Sequence, residues 1–193
     1  MRNNFVPRLI LSIILSLILF NVEANEANWK PAQEGNKVIL IRHALAPGTG
    51  DPPGFKLYDC STQRNLNQVG IDQSKKIGEL FKKNEVIIHK VLSSQWCRCK
   101  DTAKYAFGNY KEFSALNSTF RSSDVEKAKR QITKLKNFVK NWNGNGGNLI
   151  LMTHYVIISA VTDAEPRSGE IVITDKNFKV LSTIKSLNYI NEK

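Results

Sequence analysis

The residues best equipped to do chemistry stand in three clusters: Arg42-His43, Ser93-Ser94 with Arg98, and Thr153-His154. Two guanidinium groups can pair bidentately with the oxygens of a phosphate, and an imidazole can serve as nucleophile or as charged donor. The same donors would stabilise charge on a transferring phosphoryl group, whose transition state is loose and strongly anionic. Singly, each residue is weak: a histidine after a strand is more often structural, and an arginine is usually a surface or ion-pair residue. Position gives the set its meaning. Each cluster directly follows an apolar run: Val38-Ile39-Leu40-Ile41, Val86 to Leu92, and Leu149-Ile150-Leu151-Met152.

These runs are short, rich in branched residues and bounded by turn signals, which predicts buried strands. Asn67 to Lys83 carries Val69, Ile71, Ile77, Leu80 and Phe81 at helical spacing, with Gly70 and Gly78 weakening the pattern. A second helix is predicted from about Gln95 to Phe107. A third opens on Ser122-Ser123 with Glu126, a capping box, and buries Val125, Ala128, Ile132, Leu135, Val139 and Trp142. Asn143-Gly144-Asn145-Gly146-Gly147 stops it. A short helix over Val156 to Thr162 and a terminal hairpin, Ile171 to Ile173 with Val180 to Ile184 around Asp175-Lys176-Asn177, complete the chain. Strands alternating with helices predict an α/β fold: a single three-layer domain with a mostly parallel central sheet flanked by helices on both faces. Ligands of such sheets bind beyond the carboxyl ends of the strands, where the three clusters lie, so they are expected to converge. His89 falls inside the second strand and reads as structural. From Ala44 to Arg64 there is no periodicity, and Pro47, Gly48, Gly50, Pro52, Pro53 and Gly54 forbid regular structure. A loop of that length is expected to be a lid or a binding loop.

The chain has 193 residues. Arg2 and Arg8 precede an apolar run from Leu9 to Phe20, and Val22-Glu23-Ala24 follows, the pattern of an export signal with a small-x-small cleavage site. Residues 1–24 are therefore read as a signal peptide and 25–193 as one domain, periplasmic or secreted, without stable membrane insertion once the signal is removed. The formal charge of +11 favours anionic partners. The lysines are nevertheless spread from Lys30 to Lys193 with no run of five like charges, which reads as a solvated surface. No nucleic acid is expected; the expected partner is a small phosphorylated substrate. Of three cysteines, Cys60 can pair with Cys97 or with Cys99 under oxidising conditions. Their spacing lacks a zinc pattern, and no metal is expected.

Val38-Ile39-Leu40-Ile41-Arg42-His43-Ala44, Leu92-Ser93-Ser94-Gln95-Trp96-Cys97-Arg98 with Thr102-Ala103, Met152-Thr153-His154, and the intervening Leu66-Asn67-Gln68-Val69-Gly70 together resemble the histidine phosphatase, or phosphoglycerate mutase-like, superfamily. The resemblance runs from Lys37 to Ile173. It implies that His43 attacks phosphorus to form a phosphohistidine, that Arg42 and Arg98 clamp the phosphoryl oxygens, and that His154 donates to them in the transition state. It implies no cofactor. Asp59-Cys60-Ser61-Thr62-Gln63-Arg64-Asn65-Leu66 resembles exported members that act on phosphorylated sugars of the lipopolysaccharide core, which would make Arg64 a further anion contact.

Two positions depart from the family pattern. Ala44 follows the first histidine where glycine is commonest. Tyr155 follows the second histidine, where one branch carries the acid that protonates the leaving oxygen. Candidate proton donors elsewhere are Asp51, Asp59, Glu112 and Glu170, none in the family's context, so the donor is unassigned. The implied activity is hydrolysis of a phosphoric monoester, on a small phosphorylated sugar or envelope component. The unassigned acid sustains an alternative, a non-catalytic phospholigand-binding protein of the same fold.

Overall fold

The computed structural model describes residues 28–120 and 124–185. The expected signal peptide and the Ser122-Ser123 capping box lie outside the described residues. Six strands form one sheet: β1 (Val38–Arg42), β2 (Ile88–Ser93), β3 (Lys111–Glu112), β4 (Asn148–Thr153), β5 (Ile171–Thr174) and β6 (Val180–Ile184). The helices are α1, described over 28–33, α2 (Gln68–Lys83), α3 (Cys97–Phe107), α4 (Val125–Asn141) and α5 (Tyr155–Val161).

The strand order is β3-β2-β4-β1-β5-β6. The contacts among β3, β2, β4 and β1 are parallel, and β5 and β6 continue the sheet as an antiparallel hairpin. The fold is the expected α/β domain. Side-chain alternation divides the core into two layers. Ile39 and Ile41 of β1 pack with Ile77 and Phe81 of α2 and with Trp29 of α1. Val38 and Leu40 pack on the other face with Leu135 and Val139 of α4 and Ile157 and Ile158 of α5. β1 and β4 are thus covered on both sides, which is why both read as continuous apolar runs.

Three boundaries differ from the sequence expectation. β2 starts at Ile88 because Asn84-Glu85-Val86 is spent on closing α2, where Asn84 N–H donates to Leu80 O. α3 starts at Cys97, leaving Ser94 to Trp96 as a bend beside the pocket. α4 is capped by Asp124, whose side chain accepts from Lys127 N, and Val125 is exposed on its first turn, against the expectation that it is buried.

The glycines that weaken α2 as a sequence pattern are what its packing requires. Its buried face is Gly70, Ser74, Ile77, Gly78 and Phe81, while Val69 is exposed. A Cβ on Gly70 would stand 2.1 Å from Leu45 O, and one on Gly78 2.1 Å from Ala106 O. Small residues let α2 approach both α3 and the backbone just beyond His43. Gly70→Ala is expected to displace that backbone and cost roughly 1–3 kcal/mol, the range for overpacking. Urea denaturation would measure it, and an unchanged midpoint would contradict the close approach.

Candidate active site

The sheet register decides which residues meet. Arg42 pairs with Thr153 and Ser93 with Met152, so the carboxyl ends of β1, β4 and β2 lie side by side with β4 in the middle. α2 follows β1 onto one face and α5 follows β4 onto the other, which leaves a crevice beyond the strand ends. Backbone bonds lock its rim: His43 N–H donates to Thr153 O, Ser94 N–H to Met152 O, and Ala44 N–H to Thr102 Oγ1.

Arg42, His43, Arg98 and His154 all line one cavity of about 530 Å³. Asp51, Phe55, Arg64, Trp96, Phe120 and Tyr155 line it too. A wider groove of about 830 Å³ beside α2, α3 and β2 contains none of the four. His43, Arg98 and His154 are each 3% exposed.

His43 Nδ1 lies 2.8 Å from Ala44 O. A carbonyl only accepts, so Nδ1 carries the proton and Nε2 presents a lone pair. Burial, then the charges of Arg98, Arg42 and Arg64, hold the His43 pKa well below the usual imidazole value, against an opposing contribution from the Ala44 hydrogen bond. The ring is therefore neutral at neutral pH. His154 packs edge-on against His43 at 5.5 Å and against Trp96 at 5.4 Å between centroids. Its Nε2 is 2.9 Å from Ser94 Oγ and its Nδ1 3.5 Å from Arg98 Nη2. Its pKa is also held well below the usual value, by burial first, then by His43 and the three arginines.

Arg98 Nη1 forms an ion pair with Asp51 Oδ1 at 2.8 Å, while Arg98 Nε is buried without a hydrogen-bond partner among the described residues. Asp51 also accepts from Arg64 N at 3.1 Å and from Trp96 Nε1 at 3.0 Å. Burial alone would raise the Asp51 pKa, but Arg98 and these hydrogen bonds outweigh it and hold the carboxyl below the usual range. Arg42 Nη1 donates to Pro166 O at 3.0 Å, and its guanidinium lies over the Tyr155 ring, 5.7 Å from the centroid.

Arg64 lines the cavity and also straps the loop, donating from Nε to Gly50 O and from Nη1 to Ala46 O. Burial and the neighbouring Arg98 bring its pKa down to about 10, which leaves it a cation at neutral pH. The other candidate acids do not line the cavity. Asp59 accepts from Ser61 N and Oγ on the far part of the loop. Glu112 sits on β3 bonded to Lys100 and Gln95. Glu170 accepts from Arg167 N. None of the three is among the residues that line the cavity.

Several supporting residues carried no sequence signal. Asn117 accepts from Gln95 N and stands 3.3 Å from Ser94 Oγ; Gln73 accepts from Leu45 N and donates to Ser168 O. A single polar residue on a helix or loop announces no partner so distant in sequence. The cysteine alternatives resolve as Cys60–Cys97, with Cys99 buried and free. Burial pushes the Cys99 thiol up to about 12, so it packs beside His154 as a small neutral group. Among the described residues no cluster of three or more His, Cys, Asp and Glu could hold a metal ion.

The fold and the pocket define an α/β protein with a buried cationic site at the strand ends. No protein-family model matches the chain, and no curated protein matches it in sequence. Solved structures do match. The protein histidine phosphatase SixA, determined as a tungstate complex, is 14% identical with a TM-score of 0.52, over 78% of this chain and 97% of that one. TTHB049 from Thermus thermophilus is 14% identical with a TM-score of 0.54, over 77% and 99%. The product of the open reading frame Rv3214 from Mycobacterium tuberculosis is 16% identical with a TM-score of 0.52, over 72% and 90%. At these identities the likeness establishes a shared fold.

Two expectations follow from the site. An unfolded histidine titrates near 6.5, whereas folded His43 and His154 resist protonation, so the unfolded chain takes up more protons as the pH falls below about 6.5. Thermal stability should be complete above that pH and decline towards pH 5, with a shallower decline in His43→Gln; equal slopes would refute the assignment. The disulfide closes a separation of 37 residues between the loop and α3. Its removal in Cys60→Ser should cost about 3–4 kcal/mol on the loop-entropy scale, measurable by denaturant titration.

Proposed function

We propose that this chain is a phosphomonoesterase that acts through a phosphohistidine on His43, outside the cytoplasm, on a small phosphorylated molecule. The resemblance of its motifs points to a sugar phosphate or another envelope component. The observation that carries the phosphatase reading is His43 itself: buried, neutral, and with Nδ1 tied to Ala44 O so that Nε2 is the nucleophilic atom. The shared fold with a protein histidine phosphatase supports the same chemistry.

His43 Nε2 attacks phosphorus, the bond from phosphorus to the leaving oxygen breaks, and that oxygen departs with the electron pair. Arg42 and the unpartnered Nε edge of Arg98 would hold the equatorial oxygens. Burial, His43 and the arginines keep His154 neutral in the free site, and a bound anion offsets the arginine part of that, which favours protonation of the ring and donation to the phosphoryl group. Water then attacks phosphorus, the P–N bond breaks, and His43 returns with inorganic phosphate released.

Expected outcomes are specific. The purified chain should release phosphate from p-nitrophenyl phosphate, His43→Ala should not, and Arg98→Ala should retain roughly 10⁻² to 10⁻³ of the rate, the usual cost of one transition-state donor. An acid-labile, alkali-stable phosphoryl adduct on His43 should be trapped by rapid quench. Tight phosphate binding that depends on Arg42 and Arg98, with neither turnover nor adduct, would instead establish the phospholigand-binding alternative.

A further inference from the structure

Aromatic side chains share the cavity with its cations. Around the cations stand Phe55, Trp96, Phe120 and Tyr155, with Phe55 and Trp96 packed 5.7 Å apart between centroids. Asp51 is the one carboxylate that lines the cavity among the described residues. Both of its oxygens already accept: Oδ1 from Arg98 Nη1 and Arg64 N, Oδ2 from Trp96 Nε1. Those partners are a guanidinium, a backbone amide and an indole, all donors that cannot take a proton in return. Three of its roughly four acceptor sites are thus filled by donors, and the paired Arg98 charge favours the carboxylate over the acid. Asp51 is therefore built to remain ionised and to orient Arg98.

Resting on the phosphatase reading above, we infer that the site hydrolyses aryl phosphates, in which a flat ring sits among the aromatic side chains and the phenolic oxygen departs without a proton from a carboxylic acid. The P–O bond breaks with its electron pair on that oxygen, the ring delocalises the charge, and solvent supplies the proton after departure. An alkoxide from an ordinary sugar hydroxyl lacks that delocalisation and needs a proton that Asp51, ion-paired with Arg98, is not placed to give. General acid catalysis contributes roughly 10²- to 10⁴-fold. The discrimination between aryl and alkyl esters should be of that order. The inference keeps the small phosphorylated substrate proposed above but replaces the sugar ester that the motifs suggest with an aryl ester.

The test is a leaving-group series on the purified chain, measuring kcat/KM for substituted phenyl phosphates, glycerol phosphate and glucose 6-phosphate, with His43→Ala as control. Expected is a steep fall in rate with decreasing phenol acidity and a further drop of about 100-fold or more on the alkyl esters. Phe55→Ala and Phe120→Ala should raise KM for the aryl esters roughly 3- to 10-fold, as loss of an aromatic contact does. Alkyl esters turned over as fast as aryl ones, with a flat dependence on leaving-group acidity, would overturn the inference and leave the phosphatase reading intact. So would Asp51→Asn or Tyr155→Phe slowing only the poor leaving groups, because that variant would then have lost the proton donor. No turnover of any ester above the His43→Ala background would instead sink the phosphatase reading itself.

Discussion

A guanidinium that is almost wholly buried needs a counter-charge, and in this protein Arg98 finds it in Asp51. Removing one partner of such a buried pair typically costs about 3–5 kcal/mol, because the other charge is left uncompensated. The pair spans the molecule's main irregularity. Asp51 belongs to the long loop after β1, and Arg98 to the first turn of α3, so satisfying the charge also pins the loop over the pocket. The Cys60–Cys97 bridge and the Gln63 side chain, which accepts from Cys97 N, fasten the same two segments. Loop, helix start and cation are thereby one unit.

The placement of that unit follows from the sheet. Parallel strands with helices on both faces leave their carboxyl ends open, and β4 lies between β1 and β2, which brings three polar strand ends together. Burial then shapes the chemistry. Arginine remains charged where imidazole yields its proton, so the same cavity holds fixed cations beside two neutral histidines. A neutral imidazole thus faces a cluster of fixed positive charge inside the buried pocket.

Much of the fold was legible because buried strands advertise themselves. Val38 to Ile41 and Leu149 to Met152 are covered on both faces, so no polar residue interrupts them and their ends are sharp. α2 was legible in place but not in face, since its packing surface is built from Gly70, Ser74 and Gly78, which carry no hydrophobic signal. Val125 shows the opposite error: an apolar residue at helical spacing on a first turn that reaches past the core into solvent. The two-residue β3 is too short to leave a pattern.

For the pocket, the sequence by itself determined which groups were available and that each stands at, or shortly after, the end of a buried strand, because residue type and strand periodicity are local properties. Arg42, His43, Arg98 and His154 were singled out on that basis, and the structure brings them to one cavity. Tertiary structure alone decided which carboxylate enters the cavity, which cysteine pairs with Cys60, and which nitrogen of His43 keeps its lone pair. Asp51, Asp59, Glu112 and Glu170 are equivalent as letters. Their surroundings separate them: a buried guanidinium for Asp51, and surface or backbone partners for the rest. Those partners are supplied by segments far apart in the chain, and no local pattern records them.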